Sequence, residues 1–218
     1  MPIEFRAQFG EDQFVWDLLN RPTRGFFIEV GAFDGYNFSV SYALEAMGWT
    51  GLLIEAHPGA FARCQARRTG SRVVHAALGP LGGPATTEFT VVSDQYGGML
   101  SYNATTAEHV RQIAANNQAA TKVTVPQTTM DDLLAGHAGG IDVAVLDVEG
   151  AEPDLIDGFD LTKHRPRVLI VEDNTRGRNP GLDRAMSKHP YRQAAWVEMN
   201  RVYLRADDQE LAARVPFL

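Results

Sequence analysis

The 218-residue sequence has a single cysteine, Cys64, and no apolar run long enough to span a membrane. One thiol excludes an intramolecular disulfide and the zinc sites built from clustered cysteines, and it is typical of a protein that works in a reducing compartment. A membrane-spanning helix needs about 20 consecutive apolar residues. We therefore expect a cytoplasmic protein that has no contact with a membrane.

Basic residues are too few to form a broad positively charged surface. The sequence has 20 lysines and arginines against 27 aspartates and glutamates, which gives a formal net charge of −7. Proteins that bind nucleic acid neutralise the phosphate backbone with lysine and arginine, so nucleic acid is not an expected partner. The 6 histidines are scattered without the spacing of metal ligands. We expect none of them to bind a metal.

The sequence also lacks internal repeats, low-complexity tracts and linkers rich in proline or serine. Since domain boundaries fall in such linkers, we expect one domain over residues 1–218. Residues 1–24 are expected to form a helical N-terminal segment. Residues 93–126 contain a Gly-Gly pair followed by a capping-box pattern. We expect this insertion to be a mobile lid over a ligand.

Short apolar runs alternate with segments of helical spacing. The runs show no alternation of polar and apolar residues, so we expect helices on both faces of their sheet, as in a parallel α/β sheet. Near the C-terminus, runs at 195–198 and 202–205 flank a short turn and predict an antiparallel hairpin at the sheet edge. The other predicted strands are 26–30, 52–55, 72–75, 141–146 and 167–171, and the predicted helices include 11–20 and 37–47.

A glycine-containing turn, Glu29-Val30-Gly31-Ala32-Phe33-Asp34-Gly35, follows the first predicted strand. Glycines permit a tight turn and a close approach of the backbone to a ligand. A dinucleotide fingerprint would need glycine where this chain has Phe33, and the acidic strand end suits a sulfonium or ammonium group better than a phosphate. Glu55, at the end of the second strand, is expected to bind the two hydroxyls of a ribose. The alternative is a plain turn with Glu55 in solvent.

Carboxylates also follow the fourth and fifth predicted strands. Asp147 and Glu149 come after residue 146, and Glu172 and Asp173 come after residue 171. Because parallel strands bind ligands beyond their carboxyl ends, these acids are expected to face the site, where they would repel one another unless a cation lies between them. Magnesium and calcium prefer such oxygen ligands. The alternative is that Asp147 binds the amino group of the cofactor and Glu172 pairs with a following arginine.

These motifs resemble the FkbM-type S-adenosylmethionine-dependent methyltransferases. The most specific of them is Asp-Val-Glu-Gly-Ala-Glu at 147–152. Three positions depart from the pattern of the family, namely Glu29, Ala56 and Asn200. The other matching segments are Gln-x-Gly-x-Asp at 8–12, the turn at 29–35, 44–45 with 48–49, 53–56, 142 and 171–174.

The resemblance implies a Rossmann-like class I methyltransferase fold with a seven-stranded, mostly parallel sheet. It also implies O-methylation of a sugar or another small polar metabolite, and it brings magnesium to Asp147, Glu172 and Asp173. The histidine base of such relatives has no counterpart near Gly150, so we expect Asp147 and Glu149 to be catalytic. We expect S-adenosylmethionine to bind Glu29, Gly31, Ala32, Gly35, Ser39, Glu55 and Ala76.

Two other classes of function stay open at this point. A binding module for a nucleoside ligand could keep this fold without turnover. An NAD(P)-dependent oxidoreductase could use the same sheet and Glu55, although it would need glycine in place of Phe33. The acceptor and the oligomeric state are also open, and a homo-oligomer is compatible with the sequence.

Overall fold

The computed structural model describes residues 3–93, 97–98, 100–102 and 119–215. The helices are α1 (Glu11–Leu18), α2 (Tyr42–Ala46), α3 (Pro58–Arg67), α4 (Met130–Leu133), α5 (Glu152–Asp157), α6 (Leu161–His164), α7 (Pro180–Met186) and α8 (Gln209–Arg214). The strands are β1 (Phe26–Val30), β2 (Thr50–Glu55), β3 (Arg72–His75), β4 (Ala77–Leu78), β5 (Thr86–Ser93), β6 (Ala119–Thr128), β7 (Val143–Leu146), β8 (Val168–Glu172), β9 (Tyr191–Val197) and β10 (Asn200–Arg205). No helix among these residues is long and apolar enough to cross a membrane.

Seven strands form one sheet in the order β3-β2-β1-β7-β8-β10-β9. The pairs from β3 to β8 are parallel, while β10 is antiparallel to both β8 and β9. This confirms the predicted, mostly parallel seven-stranded sheet with an antiparallel C-terminal hairpin. The register places Val30 beside Leu146, and Leu146 beside Val171. The carboxyl ends of β1, β7 and β8 therefore meet at one edge.

Apolar side chains pack on both faces of this sheet, as its continuous apolar strands predict. On one face, Ile28 and Val30 belong to a cluster with residues of α5 and α7. On the other face, Phe27 and Leu53 belong to a cluster with residues of α1 and α3. Each fully buried side chain of this size contributes about 1.5–3 kcal/mol. The central strands are thus fixed from both sides.

A smaller sheet has the order β4-β6-β5. Its strands β5 and β6 pair antiparallel from Thr86 opposite Pro126 to Ser93 opposite Ala119. The segment expected to form a lid, 93–126, thus begins and ends in this pair. Most of that segment, including the capping-box pattern, lies outside the described residues.

Two predicted helices are shorter in the structure. The helix predicted over 37–47 is limited to α2, because Ser39 and Val40 are bound to the carboxylate of Glu29 at 2.8 Å each and are not available to a helix. Of the N-terminal segment predicted to be helical over 1–24, the described part, 3–24, is helical only in α1. The C-terminal hairpin starts earlier than predicted, at Tyr191.

Candidate active site

Gly31 lies where the ends of β1, β2 and β7 meet. Its backbone φ is +79°, and a Cβ at this position would lie 1.9 Å from the carbonyl oxygen of Asp147. The N–H groups of Gly31 and Ala32 both donate to the carbonyl of Ile54, at 3.0 and 3.1 Å. Only glycine fits this position, because any side chain would separate the turn after β1 from β7.

Glu55 holds the same turn from the neighbouring strand. Its buried carboxylate accepts hydrogen bonds from the N–H groups of Phe33 at 2.6 Å and His57 at 2.7 Å. Burial raises the pKa of Glu55 to about 7. Phe33 has a φ of 49°, which is uncommon for a bulky side chain and is maintained by this contact. The expected alternative, Glu55 in solvent, is therefore wrong.

A cavity of about 640 Å³, cavity A, lies beside this turn. Ile54, Ala76 and Phe89 give it an apolar wall, and the Glu55 carboxylate borders it. This lining suits a ligand with an apolar ring and polar hydroxyls. Cavity A is lined by Val30, Gly31, Phe33, Ile54, Glu55, Ala56, Ala76, Ala77, Leu78, Phe89, Ser101, Asp147, Val148, Glu149 and Ala151.

A second cavity of about 580 Å³, cavity B, adjoins the first. Val30, Gly31, Phe33, Asp147 and Glu149 line both cavities. A group held in cavity A is therefore next to a group held in cavity B. The other residues that line cavity B are Gln8, Glu29, Ala32, Asn37, Phe38, Ser39, Val40, Val145 and Glu172.

Asp147, Glu149 and Glu172 form an acid cluster between the two cavities. One carboxylate oxygen from each lies within 4.8 Å of the others. The Asp147 side chain is exposed to the cavities, and desolvation by the protein packed around them raises its pKa to about 6. Burial and the charges of Asp147 and Glu149 raise the pKa of Glu172 well above its usual value. Three such oxygens suit a hard divalent cation.

Glu152 shapes the loop that carries two of these acids. Its buried carboxylate accepts hydrogen bonds from the N–H groups of Val148 and Gly150, both at 3.1 Å. Burial raises the pKa of Glu152 to about 7. The bonds hold Glu149 with a φ of 55° and Gly150 with a φ of 104°. Glu152 therefore positions Glu149 of the acid cluster through the backbone of the loop.

Asp173 lies outside the acid cluster, although the resemblance placed magnesium there. Its carboxylate accepts hydrogen bonds from the Thr175 hydroxyl at 2.6 Å, the Gly177 N–H at 2.8 Å and the Arg201 Nε at 2.7 Å. Burial opposes the charge, but these bonds lower the pKa of Asp173. Its lone pairs are already used, and Glu149 takes the place expected for it. Within the described residues, Glu172 forms no ion pair with an arginine.

Glu29 and Ser39 border cavity B but are bonded to each other. The buried Arg68 donates to the Ser39 hydroxyl at 3.2 Å, and its guanidinium is 3.8 Å from Glu29. Gly35 is not among the residues that line either cavity. A Cβ there would lie 2.7 Å from Cγ of Arg68 and 2.9 Å from Sγ of Cys64, so Gly35 permits close packing of α3.

Three residues near the site were not predicted from the sequence. Arg68 is 1% exposed, yet its place at the end of an amphipathic helix gave no sign of burial. Gln8 lines cavity B, and Glu11 is close enough to raise the pKa of Asp147. The Gln-x-Gly-x-Asp segment was a signal for both, since it was part of the resemblance.

The comparison with protein families decides which of these chemistries applies. The model of the Methyltransferase FkbM domain matches residues 29–192. The chain belongs to the FkbM methyltransferase family. It is thus an S-adenosylmethionine-dependent methyltransferase. The oxidoreductase alternative does not apply.

Solved structures with a similar fold are distant in sequence. A TehB-like SAM-dependent methyltransferase from Corynebacterium glutamicum ATCC 13032 Kitasato has 9% identity and a TM-score of 0.48, over 91% of this chain and 89% of that one. The human methyltransferase 10 domain containing protein has 12% identity and a TM-score of 0.46, over 90% and 80%. The METTL16 methyltransferase domain has 13% identity and a TM-score of 0.48, over 90% and 66%. No curated protein sequence matches the chain.

Proposed function

We propose that this FkbM methyltransferase transfers a methyl group to a hydroxyl oxygen of a small neutral acceptor, such as a sugar. The observation that carries the proposal is the junction of the two cavities at Gly31, Asp147 and Glu149. Cavity A would hold the cofactor, and cavity B the acceptor. The acids that line cavity B disfavour an acceptor with a carboxylate or phosphate.

In cavity A, Glu55 would accept hydrogen bonds from the ribose hydroxyls, and Ala76 would contact the adenine. Gly31, which lines both cavities, would bring the backbone close to the methionine part. Ala32, Glu29 and Ser39, which the sequence places at the cofactor, line cavity B alone and would face the acceptor side. When bound, S-adenosylmethionine supplies a methyl group that its sulfonium charge has already activated. The surrounding carboxylates favour that positive charge. Gly35 would have no contact with the cofactor, but it would allow α3 to pack closely against the turn.

The remaining tasks are to align the acceptor and to remove its proton. Alignment of two reactants contributes up to about 7–11 kcal/mol in favourable cases. Asp147 borders both cavities, and its carboxylate would accept the proton of the acceptor hydroxyl. Glu149 borders the same junction and would assist in placing the hydroxyl. We assign Asp147 as the general base.

The acid cluster would also hold magnesium. Asp147, Glu149 and Glu172 offer the oxygen ligands that this ion prefers, and Glu149 replaces Asp173 in the predicted set. The ion would supply Lewis-acid chemistry, which favours ionisation of an acceptor hydroxyl. The alternative role for Asp147, binding the amino group of the cofactor, predicts no dependence on a metal.

Transfer of a labelled methyl group tests the proposal. The protein is incubated with S-adenosylmethionine that carries a CD3 group and with a polar metabolite extract of the producing organism. We expect mass spectrometry to find a product heavier by one CD3 group, and NMR to place that group on oxygen. A product methylated on nitrogen or carbon would contradict the proposed reaction.

Removal of divalent cations tests the metal assignment. The protein is dialysed against a chelator, and elemental analysis confirms that the cations are gone. We expect activity to fall by at least about 10-fold and to return on addition of magnesium. Full activity of the metal-free protein would favour the amino-group role of Asp147.

A further inference from the structure

Part of cavity B is built by a segment that the family match does not include. The match begins at residue 29, while Gln8, which lines cavity B, lies on the segment 3–10. We call residues 3–10 the N-terminal strap. The strap precedes α1 and runs next to the loop that carries Phe38, since Ala7 and Phe38 form an isolated parallel β-bridge.

Buried side chains hold the strap in place. Asp12 is 0% exposed, and its carboxylate accepts hydrogen bonds from the N–H groups of Arg6 at 2.6 Å and Ala7 at 3.0 Å. The Arg6 guanidinium lies 3.9 Å from the centre of the Tyr36 ring. These contacts fix the residues immediately before Gln8 against the wall of cavity B.

A second set of contacts fixes the strap on its other side. Glu11, 3% exposed, accepts hydrogen bonds from the Phe9 N–H at 2.9 Å and from Asn200 Nδ2 at 2.6 Å. Asn200 is the register partner of Glu172 on the neighbouring strand β8. The strap is therefore tied to the strand that supplies one member of the acid cluster. Gln8 lies between the two sets of contacts.

The Gln8 side chain is the part of the strap that faces a ligand. It is exposed, it borders cavity B together with Asn37 and Phe38, and within the described residues its amide forms no hydrogen bond with the protein. A neutral amide offers both a donor and an acceptor. The Gln8 amide can therefore bind either a hydroxyl or a carbonyl group of the acceptor. This allows it to distinguish one acceptor from another in a way that the carboxylates of cavity B do not.

We propose that Gln8 is a specificity-determining residue that hydrogen-bonds the acceptor in cavity B and is presented by the fixed N-terminal strap. This inference rests on the proposed function, because it requires that cavity B hold the acceptor. It assigns to the strap a role in recognition of the acceptor and none in binding of the cofactor, since Gln8 does not line cavity A.

The first test compares Gln8→Ala with Gln13→Ala. Gln13 is an exposed glutamine of α1 that lines neither cavity, so it is the matched control. The probe is the hydroxyl compound that wild type methylates in the CD3 experiment. We expect Gln8→Ala to raise the KM for this compound about 3- to 10-fold, as for loss of one neutral hydrogen bond, with kcat unchanged. The Kd for S-adenosylhomocysteine should stay at the wild-type value in both variants.

The second test uses the chain's single cysteine, Cys64, which is 0% exposed. Burial also raises its pKa to about 12, so it reacts poorly. Gln8→Cys and Gln13→Cys therefore each introduce one accessible thiol for a bulky maleimide. We expect labelling at position 8 to reduce methyl transfer at least 10-fold without changing the Kd for S-adenosylhomocysteine. Labelling at position 13 should leave both unchanged.

Each other outcome overturns the inference. Wild-type KM in Gln8→Ala together with full turnover after labelling at position 8 would remove Gln8 from acceptor recognition, while the CD3 product would keep the proposed function. Weaker binding of S-adenosylhomocysteine in Gln8→Ala would place the residue at the cofactor instead. Failure of wild type to form any CD3 product would overturn the proposed function, and this inference with it.

Discussion

At the scale of single residues, the carboxylates around the site divide by what surrounds them. Asp173 is bonded to Arg201 and to the turn that follows it, so its charge is neutralised inside the protein. Asp147 and Glu172 lie close together without an arginine beside them among the described residues, which makes their shared charge costly. Such unbalanced acids are candidates for catalysis or cation binding.

Asp147→Asn tests the base at this scale. The amide keeps the shape of the side chain but cannot accept a proton, so we expect kcat to fall at least about 100-fold. The Kd for S-adenosylhomocysteine should change by less than about 3-fold. Both are measured by turnover assays and calorimetry. Asp154→Asn, at an exposed position of α5, serves as control and should behave as wild type. An active Asp147→Asn variant would remove the assignment.

Glu55→Gln tests the acid assigned to the ribose. Loss of a charged acceptor should weaken S-adenosylhomocysteine binding about 10- to 100-fold in calorimetry. The 2′,3′-dideoxy analogue has no ribose hydroxyls, so its Kd should be the same in wild type and variant. Glu88→Gln, an exposed residue of β5, is the control. An equal loss for both ligands would mean that Glu55 only supports the turn at Phe33.

The sequence could locate these acids but not distinguish them. Strand ends are visible as the last residues of apolar runs, which is why Glu55, Asp147 and Glu172 were all expected at the site. The partner that neutralises Asp173 is Arg201, 28 residues along the chain and on another strand. No local pattern reports such a pair. The contact between Glu29 and Arg68 could not be predicted for the same reason.

At the scale of elements, the site depends on how closely the ends of β1 and β7 approach each other. The carbonyl of Asp147 occupies the space that a Cβ at Gly31 would need. This contact sets the distance between the glycine turn and the first acid of the cluster. The packing of β1 against β7 therefore determines where the glycine turn lies relative to the acid cluster.

Gly31→Ala should be strongly destabilising. The added Cβ would be 1.9 Å from the carbonyl oxygen, in addition to the strain of a φ of +79°. Gly82→Ala is the matched control, since Gly82 has a φ of +73° and nothing within 4 Å of such a Cβ. Urea unfolding should show a cost of about 1–2 kcal/mol for Gly82→Ala and at least about 3 kcal/mol for Gly31→Ala. Equal losses of unfolding free energy for the two variants would show that β1 and β7 move apart easily.

Asp208 attaches α8 to the sheet, and its effect should depend on pH. Burial opposes its charge, but the hydrogen bonds from Arg167 at 2.8 Å and the Leu211 N–H lower its pKa below 3.8. The stabilisation is thus complete above pH 3.8 and is lost as pH falls through the lowered folded pKa. Asp208→Asn keeps the helix cap and removes the charge, so we expect it to cost about 1–3 kcal/mol at pH 7.

Urea unfolding at several pH values measures this difference. The gap between wild type and Asp208→Asn should narrow below pH 3.8, the ordinary value for this group. Glu210→Gln is the control, because that exposed carboxylate contacts the same Arg167 at 3.5 Å. It should cost under about 1 kcal/mol. A gap that stays constant to pH 2 would contradict the assigned ion pair.

The limits of an element were predicted well where a buried apolar run determines them. They were predicted poorly where hydrogen bonds to a distant side chain determine them. The strand β1 matches its predicted limits, because a buried run sets both of its ends. The helix expected over 37–47 is limited to α2, because Glu29 on β1 binds the residues before it. Local spacing contains no information on that distant carboxylate.

At the scale of the whole molecule, both ends of the chain complete the site. The family match covers 29–192, yet the strap before it borders cavity B and Asn200 after it joins the strap to the sheet. The fold as a whole was predictable from alternating apolar runs, since few arrangements cover both faces of a parallel sheet. The closure of cavity B was not predictable from the sequence. It depends on contacts between residues nearly 190 positions apart, such as the hydrogen bond between Asn200 and Glu11.

A crystal structure of the protein with S-adenosylhomocysteine would show which cavity holds the cofactor. We expect the ligand in cavity A, with its ribose hydroxyls within hydrogen-bond distance of Glu55 and its sulfur directed toward Asp147. The acceptor side, cavity B, should stay open to solvent. A ligand bound elsewhere, or a ribose that makes no contact with Glu55, would contradict the assignment of the two cavities.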